Sequence, residues 1–274
     1  MTCTNTAPQK MVSDSLPGSR RVVGGFLLVL ALAGCSVPER AAPPPAQPSG
    51  DVIQAATFST QPSGTVLPQG WKPLIILRSK RRTDYSLVED QGQVVMRAEA
   101  RKSASGLHRD VNVDPARHRF LKWRWRVDAP VSGADPRKSS SEDAPARVLV
   151  SFYGDLLTLD PFEQTNLAMA SALSGQAIPY ATLIYIWSDK LPVDSVVPNP
   201  RTERVQMVVA DSGPAEPGKW VTLERDLLED FRRAFGEEPG PIERIGLMTD
   251  TDNTADTAVS FYGDMEFRAQ RDDE

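Results

Sequence analysis

The chain has 274 residues, with 31 Lys and Arg against 36 Asp and Glu, so its formal net charge is −5. A composition of 40 % hydrophobic and 24 % charged residues is that of a folded domain and excludes a wholly disordered or collagen-like chain. Two Cys and two His leave no material for a disulfide scaffold or a His- and Cys-built metal centre, and the acidic balance argues against a nucleic-acid partner.

Residues 20–35 read RRVVGGFLLVLALAGC. Arg20 and Arg21 form a positive start, and Val22 to Ala33 carry no charge. That run is too short to cross a bilayer of ~30 Å as a helix, but it has the length of a secretory leader. The small residues Ala33 and Gly34 fit a narrow peptidase cleft, and Cys35 then offers a thiol for thioether attachment of diacylglycerol. The pattern Leu32-Ala33-Gly34-Cys35 resembles the bacterial lipoprotein signal. It implies a signal peptide over 1–34, lipidation at Cys35 and a membrane partner reached through the lipid anchor. Several acyl chains together give stable anchoring, at about 0.8 kcal/mol per buried CH₂. Cys3 leaves with the leader, so Cys35 becomes the sole thiol and acylation consumes it. Ser36 follows it rather than Asp, which by the same resemblance places the protein at the outer membrane, facing the periplasm. Met11 stands as an alternative start to Met1.

Residues 35–70, with VPERAAPPPAQPSG at their centre, read as a Pro- and Ala-rich extended linker. A folded domain over 71–267 and a polar tail over 268–274 follow. Short apolar runs of period two predict strands over 73–77, 86–88, 94–100, 120–127, 147–153, 181–187, 205–210, 220–223, 242–249 and 258–267. Their spacing predicts an all-β, antiparallel, jelly-roll-like β-sandwich. Two short helices interrupt it. Asp160-Pro161-Phe162-Glu163 supplies an N-cap acid, Pro at the first position and Glu at the third, and Gly175 supplies the stop. Leu227, Leu228, Phe231 and Phe235 share one face of a helix expected over 223–235, with Gly236 as its end. The hexapeptide VSFYGD occurs at 150–155 and again at 259–264, and reads as two similar strand ends with Gly-Asp turns.

The densest acidic segment is Thr249-Asp250-Thr251-Asp252-Asn253-Thr254. Carboxylates at alternate loop positions can converge on Ca²⁺, which makes Asp250 and Asp252 the metal candidates. EF-hand spacing fails, because Ala255 stands where Gly is needed and no Glu follows. The competing reading is a loop whose Asp and Asn side chains bind their own backbone. In 122–126, Trp123 and Trp125 share one face with Val127, and Lys122, Arg124 and Arg126 share the other. The Trp face reads as core and the basic face as paired with neighbouring acids. Asp143 and Arg147 are expected to meet across a turn as a solvated ion pair. Arg147, Trp187, Asp250, Asp252 and Asn253 could together line a ligand pocket. His108, in a segment read as loop, and His118 are the only imidazoles, and no nucleophile elbow, HExxH, P-loop or dinucleotide motif accompanies them.

Several segments together resemble the domain-of-unknown-function family 3047. They are TDYSLV (83–88), SASGL (103–107), LKWRW (121–125), EDAPAR (142–147), IYIWS (184–188), Asn199-Pro200, GKWV (218–221), MTDTDNT (248–254) and YGD (262–264). Ala144 departs from the bulky apolar residue the resemblance implies. By looser likeness the family is similar to galactose-binding-like jelly rolls, which implies glycan binding and in some cases a structural Ca²⁺. The expectation is therefore a non-catalytic envelope lipoprotein that binds a glycan or another envelope component. Asp143, Arg147, Trp187, His108, Asp250, Asp252 and Asn253 are its candidate ligand contacts. The alternatives are an envelope glycan hydrolase using Asp143, Asp250 and Asp252, or an assembly partner of other envelope proteins.

Overall fold

The computed structural model describes residues 50–271. The leader, Cys35, the Pro-rich centre of the linker and the last three residues of the tail lie outside them. Within them the chain forms β1 (Val52–Ala56), β2 (Trp71–Ile75), β3 (Asp84–Asp90), β4 (Gln93–Arg101), β5 (Ala104–Val113), β6 (Phe120–Val127) and β7 (Arg147–Phe152). Helix α1 (Pro161–Ser174) follows, then β8 (Ala181–Ser188), β9 (Val196–Pro198), β10 (Val205–Ser212), β11 (Val221–Asp226), helix α2 (Leu227–Phe235), β12 (Ile242–Asp250) and β13 (Thr257–Arg268).

These strands make two sheets facing each other as a jelly-roll-like sandwich. One has the order β11-β6-β13-β4-β3, with β1 added beside β13. The other is seven-stranded, β2-β5-β12-β7-β8-β10-β9. Neighbours are antiparallel except β8 and β10, which run parallel, so the expected purely antiparallel pairing holds everywhere but there. Between the sheets sits the main core, where Trp123, Trp125, Tyr185, Phe152, Tyr262 and Phe267 are fully buried. Period two put both tryptophans on the inner face of β6, as the alternation required. Arg126, on the outer face, stacks on Phe261 at 3.8 Å and donates to Asp90 at 2.6 Å.

Three differences from the sequence expectation have physical causes. The sandwich begins at β1, inside the stretch read as linker: Ala55, Ala56 and Phe58 have no exposure, and β1 pairs with the second half of β13. The segment around His108 is a strand, not a loop; β5 is central, lying between β2 and β12. Its Ala, Ser, Gly and Asp have low strand propensity, and the large apolar residues on its inward face are Leu107, Val111 and Val113. Gly106 is needed there because a Cβ would lie 2.5 Å from the Leu247 carbonyl oxygen of β12. The strand expected to end at Leu223 runs on to Asp226, whose carboxylate then caps α2 through the Glu229 amide.

The repeated hexapeptide is used in two ways. Its first copy ends β7 with Phe152 facing the core; its second lies inside β13, where Tyr262 faces the core and Phe261 faces out. The second copy is thus not a strand end, and its register is shifted by one face. Helix α1 forms as its capping signals require: Asp160 accepts from the Phe162 and Glu163 amides at 2.9 and 3.1 Å, and Gly175 closes it in the left-handed conformation. Glu163 ties its start to Thr202 and Glu203 before β10. Just past its end, the Gln176 amide satisfies the open edge of β2 at Ile75 N and Pro73 O, both at 2.9 Å.

Candidate functional site

Alternation along β12 sets Ile245 and Leu247 into the core and leaves Arg244, Gly246, Met248 and Asp250 on the outer face of the seven-stranded sheet. Two polar sites lie at the ends of that row.

At the Asp250 end the structure brings together six of the seven ligand-contact candidates. Arg147 opens β7 and meets Asp250 as a bidentate pair, Nε to Oδ1 at 2.7 Å and Nη2 to Oδ2 at 3.0 Å, with both residues buried. The same guanidinium donates to the Glu142 carbonyl and contacts the Met207 sulfur. The Ala144 amide donates to Asp250 Oδ1 at 3.2 Å. Asp143 does not meet Arg147 as a solvated pair. It accepts four hydrogen bonds from Asn253 and Thr254, the shortest from the Thr254 amide at 2.6 Å. Asp252 pairs with Lys80. Trp187 packs in the main core, hydrogen-bonded through its amide to the Ala146 carbonyl, and shares with Asp143 the wall of a cavity of about 10 Å³, room for one water.

Asp143, Asp250 and Asp252 each present an oxygen within 4.8 Å of the others. This donor set does not fit a resident Ca²⁺: Arg147 and Lys80 already neutralise two of the three, and backbone amides fill the third. Burial pushes the Asp250 carboxyl up to about 6, against the pull of Arg147. Ala255 follows in the left-handed region (φ 59°), which closes the turn that returns Asn253 and Thr254 to Asp143. The competing reading of the segment, acids bound to their own backbone, does not describe Asp250 or Asp252, which bind Arg147, the Ala144 amide and Lys80; the amides of Asn253 and Thr254 are taken instead by Asp143, from a different loop.

His108 is not part of this cluster. On β5 it lies opposite Gly246, four residues from Ala104, the partner of Asp250, or about 13 Å along the strand. There it lines a second site: an open cleft of about 300 Å³ walled by Lys72, Pro73 and Ile75 of β2, Asp110 of β5, Arg244 of β12, Arg82 and Gln176. Lys72 donates to Asp110 Oδ2 at 2.6 Å and Arg244 to Oδ1 at 3.3 Å. His108 is 8 % exposed, and its Nδ1 is buried without a hydrogen-bond partner. Burial, with Arg244 and Lys72 nearby, holds its pKa below the usual imidazole range; Asp110 pulls the other way. Sequence reasoning missed every wall of this cleft except His108. The signal was present in Leu107, Arg109, Val111 and Val113 alternating with His108 and Asp110, which is the period of a strand.

Solved structures similar to this chain include a family 11 carbohydrate-binding module of a cellulosomal cellulase of Clostridium thermocellum, at 8 % identity over 81 % of this chain and 98 % of that one, with a TM-score of 0.42. A family 30 carbohydrate-binding module of another cellulosomal cellulase from the same organism is similar at 10 % identity over 81 % and 99 %, with a TM-score of 0.37. No curated protein matches the chain. The profile of one family, described as a protein of unknown function, matches residues 69–266, which runs from β2 into β13 and leaves out β1. On that match the chain belongs to the DUF3047 family.

Proposed function

We propose that this protein is a lipid-anchored, non-catalytic binding domain of the bacterial envelope, and that it receives an envelope saccharide in the cleft around His108. The observation that carries this reading is the contrast in polar satisfaction between the two sites. In the cleft a buried imidazole nitrogen has no partner. In the acid cluster, each carboxylate that a hydrolase would need is already engaged by Arg147, Lys80 or a backbone amide. A general acid or nucleophile must reach its substrate, and Asp143 and Asp250 are 2 and 4 % exposed. The anchoring half of the proposal is supported by the charged start, apolar run and Leu-Ala-Gly-Cys order of residues 20–35.

A glycan array probed with the whole mature chain tests the binding half. Bound saccharides, with binding reduced in His108→Gln, are expected; no bound saccharide of any class would overturn it. Detergent-phase partition followed by mass analysis of the N-terminal peptide tests the other half. Cys35 carrying diacylglycerol as the first residue is expected, and an unmodified Cys35 still preceded by its leader would remove the anchor. Turnover of peptidoglycan or polysaccharide that disappears in Asp250→Asn or Asp252→Asn would establish the hydrolase reading instead.

A further inference from the structure

The charge of the cleft differs from that of the chain around it. Three cations, Lys72, Arg82 and Arg244, face one carboxylate, Asp110, on a protein with a net charge of −5. Asp110 is held by Lys72 and Arg244 and has little left to offer a ligand. The Gln176 amide is used on both sides by the edge of β2. Two polar groups are left to face an incoming molecule. Arg82 is exposed and has no partner among the described residues. His108 lines the cleft, and its Nδ1 is buried and without a hydrogen-bond partner.

Arg82 can only donate, and the neutral imidazole of His108 carries one N–H. A neutral sugar needs acceptors for its hydroxyl protons and an aromatic platform for its ring, and apart from the imidazole the walls supply only Pro73 and Ile75 as apolar surface. An oxyanion needs what is present: a guanidinium fork and an N–H inside a positive field. We infer that the cleft is an anion subsite that takes the carboxylate or phosphate of an acidic saccharide, with Arg82 pairing the oxyanion and His108 donating to it from Nδ1. A volume of about 300 Å³ is at the small end of ligand sites and suits a single sugar ring with its charged group. The inference rests on the saccharide-binding reading above and deepens it by naming the ligand's charge.

The test titrates the whole mature chain with digalacturonate, cellobiose and inorganic phosphate at fixed ionic strength, by calorimetry and by the imidazole signals of His108. Digalacturonate is expected to bind, to shift the His108 resonances and to weaken as salt is raised; cellobiose is expected not to bind. Arg82→Ala, at an exposed position, should weaken digalacturonate about tenfold with an unchanged melting temperature. Asp110→Asn, which releases Lys72 and Arg244 toward the ligand, should tighten it. If cellobiose binds as well as digalacturonate, or Arg82→Ala leaves the affinity unchanged, the anion subsite is wrong while saccharide binding stands. If phosphate binds and neither saccharide does, the cleft is anionic in preference but the saccharide reading fails. Binding of none of the three overturns both.

Discussion

The two ends of the outer row of β12 handle charge in opposite ways. Arg244 and Asp250 are six residues apart on one strand, about 20 Å. Around Asp250 the three carboxylates Asp143, Asp250 and Asp252 each have a fixed partner, and the adjoining cavity holds about 10 Å³. Around Arg244 the cations outnumber their carboxylate, the cleft holds about 300 Å³, and a buried imidazole nitrogen is unpaired. Polar density alone therefore does not mark a binding site. The denser cluster holds the strand ends and the 251–256 turn together, while the sparser one leaves the Arg82 guanidinium and a His108 nitrogen without partners among the described residues.

The largest effect expected from breaking this contrast is at the pair itself. Arg147→Met leaves the Asp250 carboxylate buried without its cation and should destabilise the fold by ~3–5 kcal/mol, read as a fall in denaturation midpoint. Next comes pH. Burial raises Asp250 from 3.8 to about 6, so between those values the folded state binds more protons than the unfolded state and stability falls as pH rises, by up to about 3 kcal/mol. Asp250→Asn, which imitates the protonated form, should flatten that segment in melting curves taken from pH 4 to 7. His108 works in the other direction. Its pKa is lowered from 6.5, so stability is lost as pH falls below 6.5, and His108→Gln should remove that acid-side loss.

Between the two sites, Gly106→Ala sets a methyl group against the Leu247 carbonyl and the side chains of Leu74 and Met248, and should cost ~1–3 kcal/mol. At the cleft, Asp110 is exposed and its ion pairs are solvated, so Asp110→Asn should change the melting free energy by less than ~1 kcal/mol. An effect as large as that of Arg147→Met would erase the distinction between a structural cluster and a receptive cleft.

The fold was largely legible because the strands carry their own pattern. Phe120–Val127 has a bulky residue at each inward position, and its boundaries were read without error. The α1 caps were legible because Asp160, Pro161 and Gly175 act through backbone geometry within a few residues. Short strands of weak pattern were missed: β1 sits next to a Pro-rich stretch, β9 has three residues, and the small residues of β5 resemble a loop until their alternation is counted. In the candidate site, the convergence of Asp143, Arg147, Asp250, Asp252, Asn253 and Trp187 was legible as a possibility, but its chemistry was not. Proximity in sequence suggested that Asp143 and Arg147 pair, whereas the sheet register places Arg147 against Met248 of β12 and so within reach of Asp250.

From the order of its residues alone, this protein is specified as a β-sandwich with two capped helices, two tryptophans in its core and an N-terminus carrying the pattern of a lipidated leader. Those features depend on periodicity and on neighbours a few positions apart, which are written directly in the chain. Which face each copy of VSFYGD turns inward, which acid Arg147 holds, and whether Lys72, Arg82, His108 and Arg244 share a space were decided only when strands distant in sequence came into register. Charge pairing falls off over a few ångströms, so it is set by which strands lie side by side, and local pattern does not carry that information.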